Sequence, residues 1–524
     1  MAKYARTCFL TCALAVMFAT FAFPHLAIAA NPVFIGTNNQ ANVWEPYNAA
    51  IDQVNGKIYI VGPIGDAANY DWDWRIAKLN VDGTTDSAGW PIIVPGYNGI
   101  GLQAGITGVA VDSLSNVVVC GSRNFDPNSG AADWFVQKYS GAGALLFSSV
   151  YNAPYTPGPV ASPVDVATAS NGNVYVVGYD AQDGVMNVRW VVIKYNSSLV
   201  PQWTWTFPTT STSNNGASAV IVDSAGNPIV AGWQTTPSGE GWTVYKIDGN
   251  AKTPSVLWNW TPNSGGRPTD LAIDCNDNVY VAGDVNDPFI GRVWETIKIS
   301  PSGAQMWDMR EPSIGGVNAN LYGVTYDKLN DYVVVAGRAE LAIGMKGYAV
   351  AYNAGNANPA MSGSKMYMLD GFSQGGFECR PIKPMADTCG NIYIAGSRTD
   401  NLTWTNYWDL WRYGSGSPCG YTPCVPLVVP PPGKTPSFDA VLSGQCNKNC
   451  TKCSVKMSFK NLTAGTVKIY NQVTGVLVNT ITWDGKPSMD WNLKDNSGMC
   501  LPTGVYLLNF DGPELKVGVG IAIP

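Results

Sequence analysis

The segment Asp274-Cys-Asn-Asp-Asn278-Val-Tyr-Val-Ala-Gly283 decides the fold, because the chain repeats its pattern seven times. In most copies an aspartate opens a short turn, and a run of strand-forming residues then ends in glycine. The seven terminal glycines lie 51 to 59 residues apart, at Gly62, Gly121, Gly178, Gly232, Gly283, Gly337 and Gly396. Self-similarity at a period of this length indicates a repeat architecture.

Each repeat contains four predicted strands. A short apolar strand precedes the turn, the glycine-ended strand follows it, the third strand carries Trp-x-x-x-Lys, and the fourth is often aromatic. The third-strand pairs are Trp74/Lys78, Trp134/Lys138, Trp190/Lys194, Trp242/Lys246, Trp294/Lys298, Tyr348/Tyr352 and Trp408/Arg412. Four-stranded units repeated seven times predict an all-β fold with a seven-bladed β-propeller. The fixed position of the tryptophans predicts that they pack between blades, and the aspartates are predicted to cap turns rather than to bind calcium.

The two ends of the repeat region predict how the ring closes. The seventh repeat stops after its third strand, and a spare strand, Val33-Phe34-Ile35, precedes the first repeat. Adding the spare strand to the seventh repeat would complete the blade and cover an open sheet edge. We therefore predict that the N-terminal strand closes the propeller.

The repeats resemble those of secreted bacterial propellers built from the SBBP repeat. The resemblance covers about residues 32–415 and rests on segments such as Asp223-Ser-Ala-Gly-Asn-Pro-Ile-Val-Ala-Gly232. It implies the seven-bladed fold and an exported location. It implies no particular activity, since the repeated residues are architectural.

Three other segments flank the predicted propeller domain, residues 30–413. Residues 1–29 have the basic start, apolar run and Ala27-Ile28-Ala29 exit of a signal peptide. Residues 414–436 form a linker rich in Pro and Gly, which is semi-rigid and extended. Residues 437–524 contain alternating strands and are predicted to form a small β-sandwich.

The C-terminal domain carries the motif Trp491-Asn-x-x-Asp-x-x-Gly-x-x-Leu-Pro-x-Gly-Val-Tyr506. This motif resembles the immunoglobulin-like module of flagellar hook-capping proteins. The resemblance covers roughly residues 455–524 and implies a domain for anchoring or assembly at the cell surface.

Composition excludes several classes of function. The only histidine, His25, lies in the predicted signal peptide, so the mature chain lacks the residue required by Ser-His-Asp triads, His-ligated zinc and c-type haem. Charged residues are 13% of the chain and the net charge is −6, which disfavours nucleic acid as a partner. No stretch is long and apolar enough to predict a transmembrane span in the mature chain. We therefore expect no cofactor and no metal.

Ten cysteines follow the signal peptide, in an exported chain where disulfides persist. Cys379 and Cys389 flank a predicted hairpin turn, and the other candidate disulfide cysteines are Cys419, Cys424, Cys446, Cys450, Cys453 and Cys500. A zinc site at the four C-terminal cysteines is the alternative. Cys120 and Cys275 are expected to stay free, because they lie in repeats too far apart to pair.

Polar residues just past the repeat glycines form a candidate binding face: Arg123, Asp180, Trp233, Asp284, Arg338, Glu340 and Arg398. Because the residue type changes from repeat to repeat, solvated loops and salt bridges explain these residues better than a ligand site does. The sequence favours an exported, non-enzymatic binding or scaffold protein with a protein or glycan partner. Its location is then extracellular or at the cell surface, with the periplasm as the alternative. Two other functions remain: a histidine-free polysaccharide hydrolase or lyase using two carboxylates, and a subunit of a surface layer or filament.

Overall fold

The structure is a computed structural model. It describes residues 33–38, 45–66, 71–95, 105–123, 133–152, 161–181, 188–207, 215–236, 239–262, 265–287, 291–311, 319–341, 344–355, 365–368, 377–400, 405–413, 437–444, 453–460, 465–471, 477–483, 485–486, 488–497, 499–501, 504–511 and 516–523. The predicted signal peptide and linker lie outside the described residues. Within these ranges every regular element is a β-strand, and none contains a helix long and apolar enough to cross a membrane.

Seven four-stranded antiparallel sheets follow the seven sequence repeats, which confirms the predicted seven-bladed propeller. Blade 1 comprises β2 (Asn48–Asp52), β3 (Lys57–Asp66), β4 (Asp71–Asn80) and β5 (Ile92–Val94). Blade 2 comprises β6 (Gly105–Val111), β7 (Val117–Arg123), β8 (Asp133–Tyr139) and β9 (Leu145–Tyr151). Blade 3 comprises β10 (Ser162–Thr168), β11 (Val174–Ala181), β12 (Val188–Tyr195) and β13 (Pro201–Thr206).

The remaining blades keep the same order of strands. Blade 4 comprises β14 (Asn215–Val222), β15 (Pro228–Thr236), β16 (Gly239–Ile247) and β17 (Val256–Trp260). Blade 5 comprises β18 (Arg267–Ile273), β19 (Val279–Asp287), β20 (Gly291–Ile299) and β21 (Gln305–Glu311). Blade 6 comprises β22 (Asn320–Asp327), β23 (Tyr332–Leu341), β24 (Gly344–Asn353) and β25 (Lys365–Met368). Blade 7 comprises β26 (Phe377–Ala386), β27 (Ile392–Asp400) and β28 (Thr405–Tyr413), with β1 (Val33–Asn38) paired antiparallel to β28.

Tryptophan and glycine of the repeat meet at the interface between blades. A Cβ placed on Gly178 would lie 2.1 Å from the carbonyl oxygen of Ser162 and 2.9 Å from the ring of Trp134 in the preceding blade. Only glycine therefore lets the tryptophan pack this closely. The same pairing occurs at Trp408/Gly62, Trp74/Gly121, Trp190/Gly232, Trp242/Gly283 and Trp294/Gly337. This confirms that the tryptophans pack between blades, and the pair Trp408/Gly62 joins blade 7 to blade 1.

The repeated aspartate and lysine connect turns within and between blades. Asp223 accepts a hydrogen bond of 2.7 Å from the backbone N–H of Asn227 and pairs with Lys246 at 2.7 Å. Lys138 pairs with Asp112 of its own blade at 2.7 Å and donates to the carbonyl of Ser197 in the next blade at 3.0 Å. Asp112 likewise accepts from the backbone N–H of Asn116 at 2.8 Å, which confirms that Asp112 and Asp223 cap turns.

The C-terminal unit contains two antiparallel sheets. One has the order β29 (Ser437–Gly444), β30 (Cys453–Lys460) and β33 (Ser488–Trp491). The other has the order β32 (Leu477–Trp483), β31 (Gly465–Asn471), β34 (Gly504–Asp511) and β35 (Lys516–Ile523). Buried side chains from both sheets, including Met457, Val467, Trp483, Trp491 and Tyr506, form one apolar cluster. The Trp491 indole donates to the carbonyl of Lys494 at 2.9 Å, so the motif tryptophan closes its own turn.

Two cysteine predictions need correction. Cys120 is free and buried, as predicted, but Cys275 is disulfide-bonded, as are Cys389 and Cys500. The prediction for Cys275 was wrong because it considered only a bond to Cys120, although Cys275 lies in a partly exposed turn and the chain has other cysteines. Cys379 does not flank the hairpin turn. It lies near the far end of β26, opposite Arg398, roughly 20 Å along the strand from Ala386, too far from Cys389 for a bridge.

The other cysteine candidates have no described side chains. Cys419, Cys424, Cys446 and Cys450 lie outside the described residues, and only the backbone of Cys453 is described, at the start of β30. Within the described part of the chain, no cluster of three or more His, Cys, Asp or Glu side chains could hold a metal ion.

Candidate functional site

The first strands of five blades share a β-bulge close to the end at which they begin. The register shifts occur across Thr107, Val164, Ser218, Tyr322 and Ile382. Each bulge follows the residue that faces the repeat glycine, as Pro163 faces Gly178. A bulge re-aims side chains locally, and all five of these residues line one cavity.

This cavity has a volume of about 350 Å³ and receives residues from all seven blades. The first strands of blades 1 to 4 and of blades 6, 7 and 1 contact one another in turn, and the cavity receives residues from the first strands around the ring, so it lies on the axis. We call it the channel pocket. Its other lining residues are Tyr47, Asn48, Asp165, Thr269, Asp270 and Lys383. Its size is at the small end of the range for ligand sites.

Asp270 and Lys383 form an ion pair in the channel pocket. The Lys383 ammonium donates to both carboxylate oxygens of Asp270, at 2.6 and 2.7 Å, and the Val324 N–H donates to Oδ2 at 2.8 Å. Burial lowers the pKa of Lys383, but the carboxylates of Asp270 and Asp165 more than offset this effect and raise it. Lys383 is therefore a fixed positive charge at neutral pH.

Asp165 lies in the same pocket, and its hydrogen-bond donors are weaker than those of Asp270. Its oxygens accept from the Val220 N–H at 3.0 Å and from the Asn48 side-chain amide at 3.3 Å, and both donors are neutral. Burial raises the pKa of Asp165 to about 6, an effect that Asp270 strengthens and Lys383 opposes. The two carboxyl groups of the pocket thus differ in environment, since one is ion-paired and the other is not.

Replacing Asp165 with Asn is expected to stabilise the fold at neutral pH. The folded chain binds this proton more tightly than the unfolded chain, whose carboxyl has a pKa near 3.8. Stability therefore falls as pH rises from about 4 to about 6, and it stays low above that. The gain should be below ~3 kcal/mol, because channel solvent still reaches the group. Thermal melts of Asp165→Asn and wild type should differ at neutral pH and converge near pH 4; equal melts at both pH values would contradict the burial argument.

The structure places three of the predicted face residues, Asp180, Asp284 and Arg398, in ion pairs outside the lining of the channel pocket. Asp180 is fully buried and accepts from Arg189 Nε at 2.8 Å and from the Tyr151 hydroxyl at 2.7 Å. Asp284 pairs with Arg292 at 3.2 Å, and burial raises its pKa to about 6.

The other predicted face residues are similarly engaged where they are described. Arg398 pairs with Asp409 at 3.0 Å, and the Arg267 guanidinium lies 4.2 Å from the Trp233 ring centre. Arg338 lies 5.9 Å from the ring of Tyr322. The side chains of Arg123 and Glu340 lie outside the described residues. None of the seven lines the channel pocket. The second strands, which carry these residues, end at the edge of each blade where the first strands begin, and the pocket lies at that edge.

The sequence did not predict Asp165, Asp270 and Lys383 as site residues. The predicted face consisted of residues that follow the repeat glycine, and not of residues on the neighbouring strand that faces this glycine. A usable pattern does exist. Asp165 and Lys383 each stand two residues after the partner of the repeat glycine, at the position where the bulge ends. Elsewhere that position holds Gly108, Ala219 or Gly323, so a charged residue there departs from the pattern.

Comparisons with known proteins identify no function for the chain. No protein-family model matches the chain, and no curated protein matches it. Among solved structures, a Dyadobacter fermentans protein of unknown function is similar at 11% identity over 61% of this chain and 97% of that chain, with a TM-score of 0.43. Sqt1 from Chaetomium thermophilum, bound to the N-terminus of the ribosomal protein L10, is similar at 9% identity over 71% of this chain and 88% of that chain, with a TM-score of 0.40. PorZ of the Porphyromonas gingivalis type-IX secretion system is similar at 10% identity over 91% of this chain and 81% of that chain, with a TM-score of 0.24.

Proposed function

We propose that this chain is an exported, non-enzymatic binding protein that takes part of its ligand or partner into the channel pocket. The observation that carries the proposal is the lining of the pocket by all seven blades, five of them through bulged residues. A bulge disrupts the ladder locally, and bulges are over-represented beside functional sites. A protein or a glycan at the cell surface is the expected partner.

The N-terminal strand and the C-terminal sheets would have structural roles in this function. We propose that β1 closes the ring and that the repeats are of the SBBP type. We further propose that the two C-terminal sheets form an immunoglobulin-like sandwich, which anchors or assembles the protein at the cell surface. The pairing of Phe34 with Trp411 and of Thr37 with Asp409 supports the first of these proposals. The shared apolar cluster of the two sheets supports a sandwich. A subunit of a surface layer or filament is a narrower form of the same proposal.

One observation favours a second function, that of a carboxylate-dependent polysaccharide hydrolase or lyase. Asp165 has a pKa of about 6, whereas Asp270 is held by Lys383 and the Val324 amide. Two carboxyl groups held in different environments within one pocket can act as acid and base. Against this function, Lys383 contacts both oxygens of Asp270.

A glycan array combined with a polysaccharide hydrolysis screen would separate the two functions. The mature wild-type protein is expected to bind without releasing products. The Asp165→Asn and Asp270→Asn variants should leave the hydrolysis assay at its background. Asp308→Asn is the matched control, because it makes the same charge change on exposed strand β21. Turnover by the wild type that Asp165→Asn or Asp270→Asn abolishes, and that Asp308→Asn retains, would refute the binding proposal and establish the hydrolase.

A further inference from the structure

The charges of the channel pocket do not balance. Asp165 and Asp270 supply two carboxylates, whereas Lys383 supplies one ammonium group. Lys383 Nζ makes contacts of 2.6 and 2.7 Å with the two oxygens of Asp270, so the pair is locally neutral. At neutral pH the pocket therefore carries one negative charge, located at Asp165.

The partners of Asp165 leave room for a further donor. A carboxylate has about four acceptor positions, and Asp165 accepts from the Val220 and Val166 N–H groups and, in a long contact, from the Asn48 amide. No ion pair within 4.0 Å joins Asp165 to a cation in the described part of the chain, in contrast to Asp270. Burying a charge without a counter-charge is costly, so a cation delivered by a ligand would relieve that cost.

We propose that the channel pocket binds a primary ammonium group of the ligand against the Asp165 carboxylate. This inference rests on the proposed function, since it names the ligand chemistry of the same pocket. The ammonium group supplies three donors and a compact charge. Asp165 accepts from it, and the remaining donors reach hydroxyl or carbonyl oxygens of the pocket wall, where Ser218 and Thr269 contribute side-chain oxygens.

The two tyrosines of the pocket wall, Tyr47 and Tyr322, differ in what covers their rings. Arg380 lies 4.7 Å from the centre of the Tyr322 ring and forms an ion pair with Glu45, while Arg338 lies on the same ring at 5.9 Å. Tyr47 is 42% exposed at the pocket and offers an aromatic surface to the uncharged body of the ligand.

Two pairs of small probes test the proposal and distinguish the sources of the amine. Nα-acetyl-lysine methylamide and its norleucine counterpart represent a protein side chain, and glucosamine and glucose represent a sugar. Titration calorimetry on the full mature protein at neutral pH should show the amine member of at least one pair binding about tenfold more tightly than its neutral counterpart. Asp308→Asn should keep this preference, and Asp165→Asn should abolish it while remaining folded by its thermal melt.

The outcomes separate this inference from the proposed function. Equal binding of an amine and its neutral counterpart, or a preference that survives Asp165→Asn, would refute the ammonium site and leave a binding pocket in place. No binding by any of the four probes in the millimolar range would also overturn the inference. In that case the glycan array and the hydrolysis screen would still distinguish a binding protein from a hydrolase.

Discussion

A chain that lacks Val33–Asn38 is expected to unfold several degrees below the intact protein and to self-associate. In the structure β1 faces β28 through five residue pairs, from Val33 opposite Arg412 to Asn38 opposite Trp408. At about 1 kcal/mol for each backbone hydrogen bond, their loss costs on the order of 5 kcal/mol. The deletion also leaves β28 as an exposed edge, and exposed edges template pairing with other chains. Differential scanning calorimetry and size-exclusion chromatography measure the two effects.

The ring should stay assembled in this variant, because packing also joins its first and last blades. Trp408 of blade 7 packs against Gly62 of blade 1, and the Arg75 guanidinium lies 4.7 Å from the Trp408 ring. A synthetic peptide covering Val33–Asn38 should raise the melting temperature of the truncated protein when added in trans. The same peptide with proline in place of Thr37 should not, since proline lacks the N–H group. A truncated protein that melts like the intact one and stays monomeric would refute closure by β1.

The repeat predicts the blades because its recurring positions within the chain stabilise turns inside each blade and packing between blades. Pairs such as Trp190 and Gly232 recur at equivalent positions of most blades, because the tryptophan ring fills the space that the glycine leaves at the interface. Asp223 recurs because its turn needs an acceptor for the Asn227 N–H. Such needs recur in most blades, so they appear as a periodic pattern in a single sequence.

The pocket could not be predicted in the same way, because its chemistry lies in departures from the repeat. Asp165, Asp270 and Lys383 come from blades 3, 5 and 7, and they act together only once the ring brings their first strands to one axis. The spacing between them is more than 100 residues in each case. The disulfide at Cys275 was not predicted for a related reason, since the cysteine that bonds to it is determined by the folded chain and not by the repeat.

Replacing Lys383 with Met is expected to produce the largest loss of stability among single substitutions in the pocket, about 3–5 kcal/mol at neutral pH. Methionine keeps most of the side-chain volume and removes the charge. Asp270 is buried, with 5% of its surface exposed, and it would lose the cation that contacts both of its oxygens. Its negative charge would then add to that of Asp165 in the same pocket. Denaturant unfolding followed by tryptophan fluorescence measures the loss.

The dependence on pH and a second substitution distinguish this loss of charge from a general packing defect. Near pH 4 Asp165 should take up its proton, which removes one of the two negative charges, so the loss caused by Lys383→Met should be smaller there. Adding Asp270→Asn to Lys383→Met removes the unpaired charge and should recover much of the loss at neutral pH, because a neutral amide still accepts from the Val324 N–H. A double variant as unstable as Lys383→Met alone, or a loss independent of pH, would mean that Lys383 acts through its packing. Recovery would identify Lys383 as the internal counter-ion of Asp270, and it would leave Asp165 as the carboxylate available to a ligand.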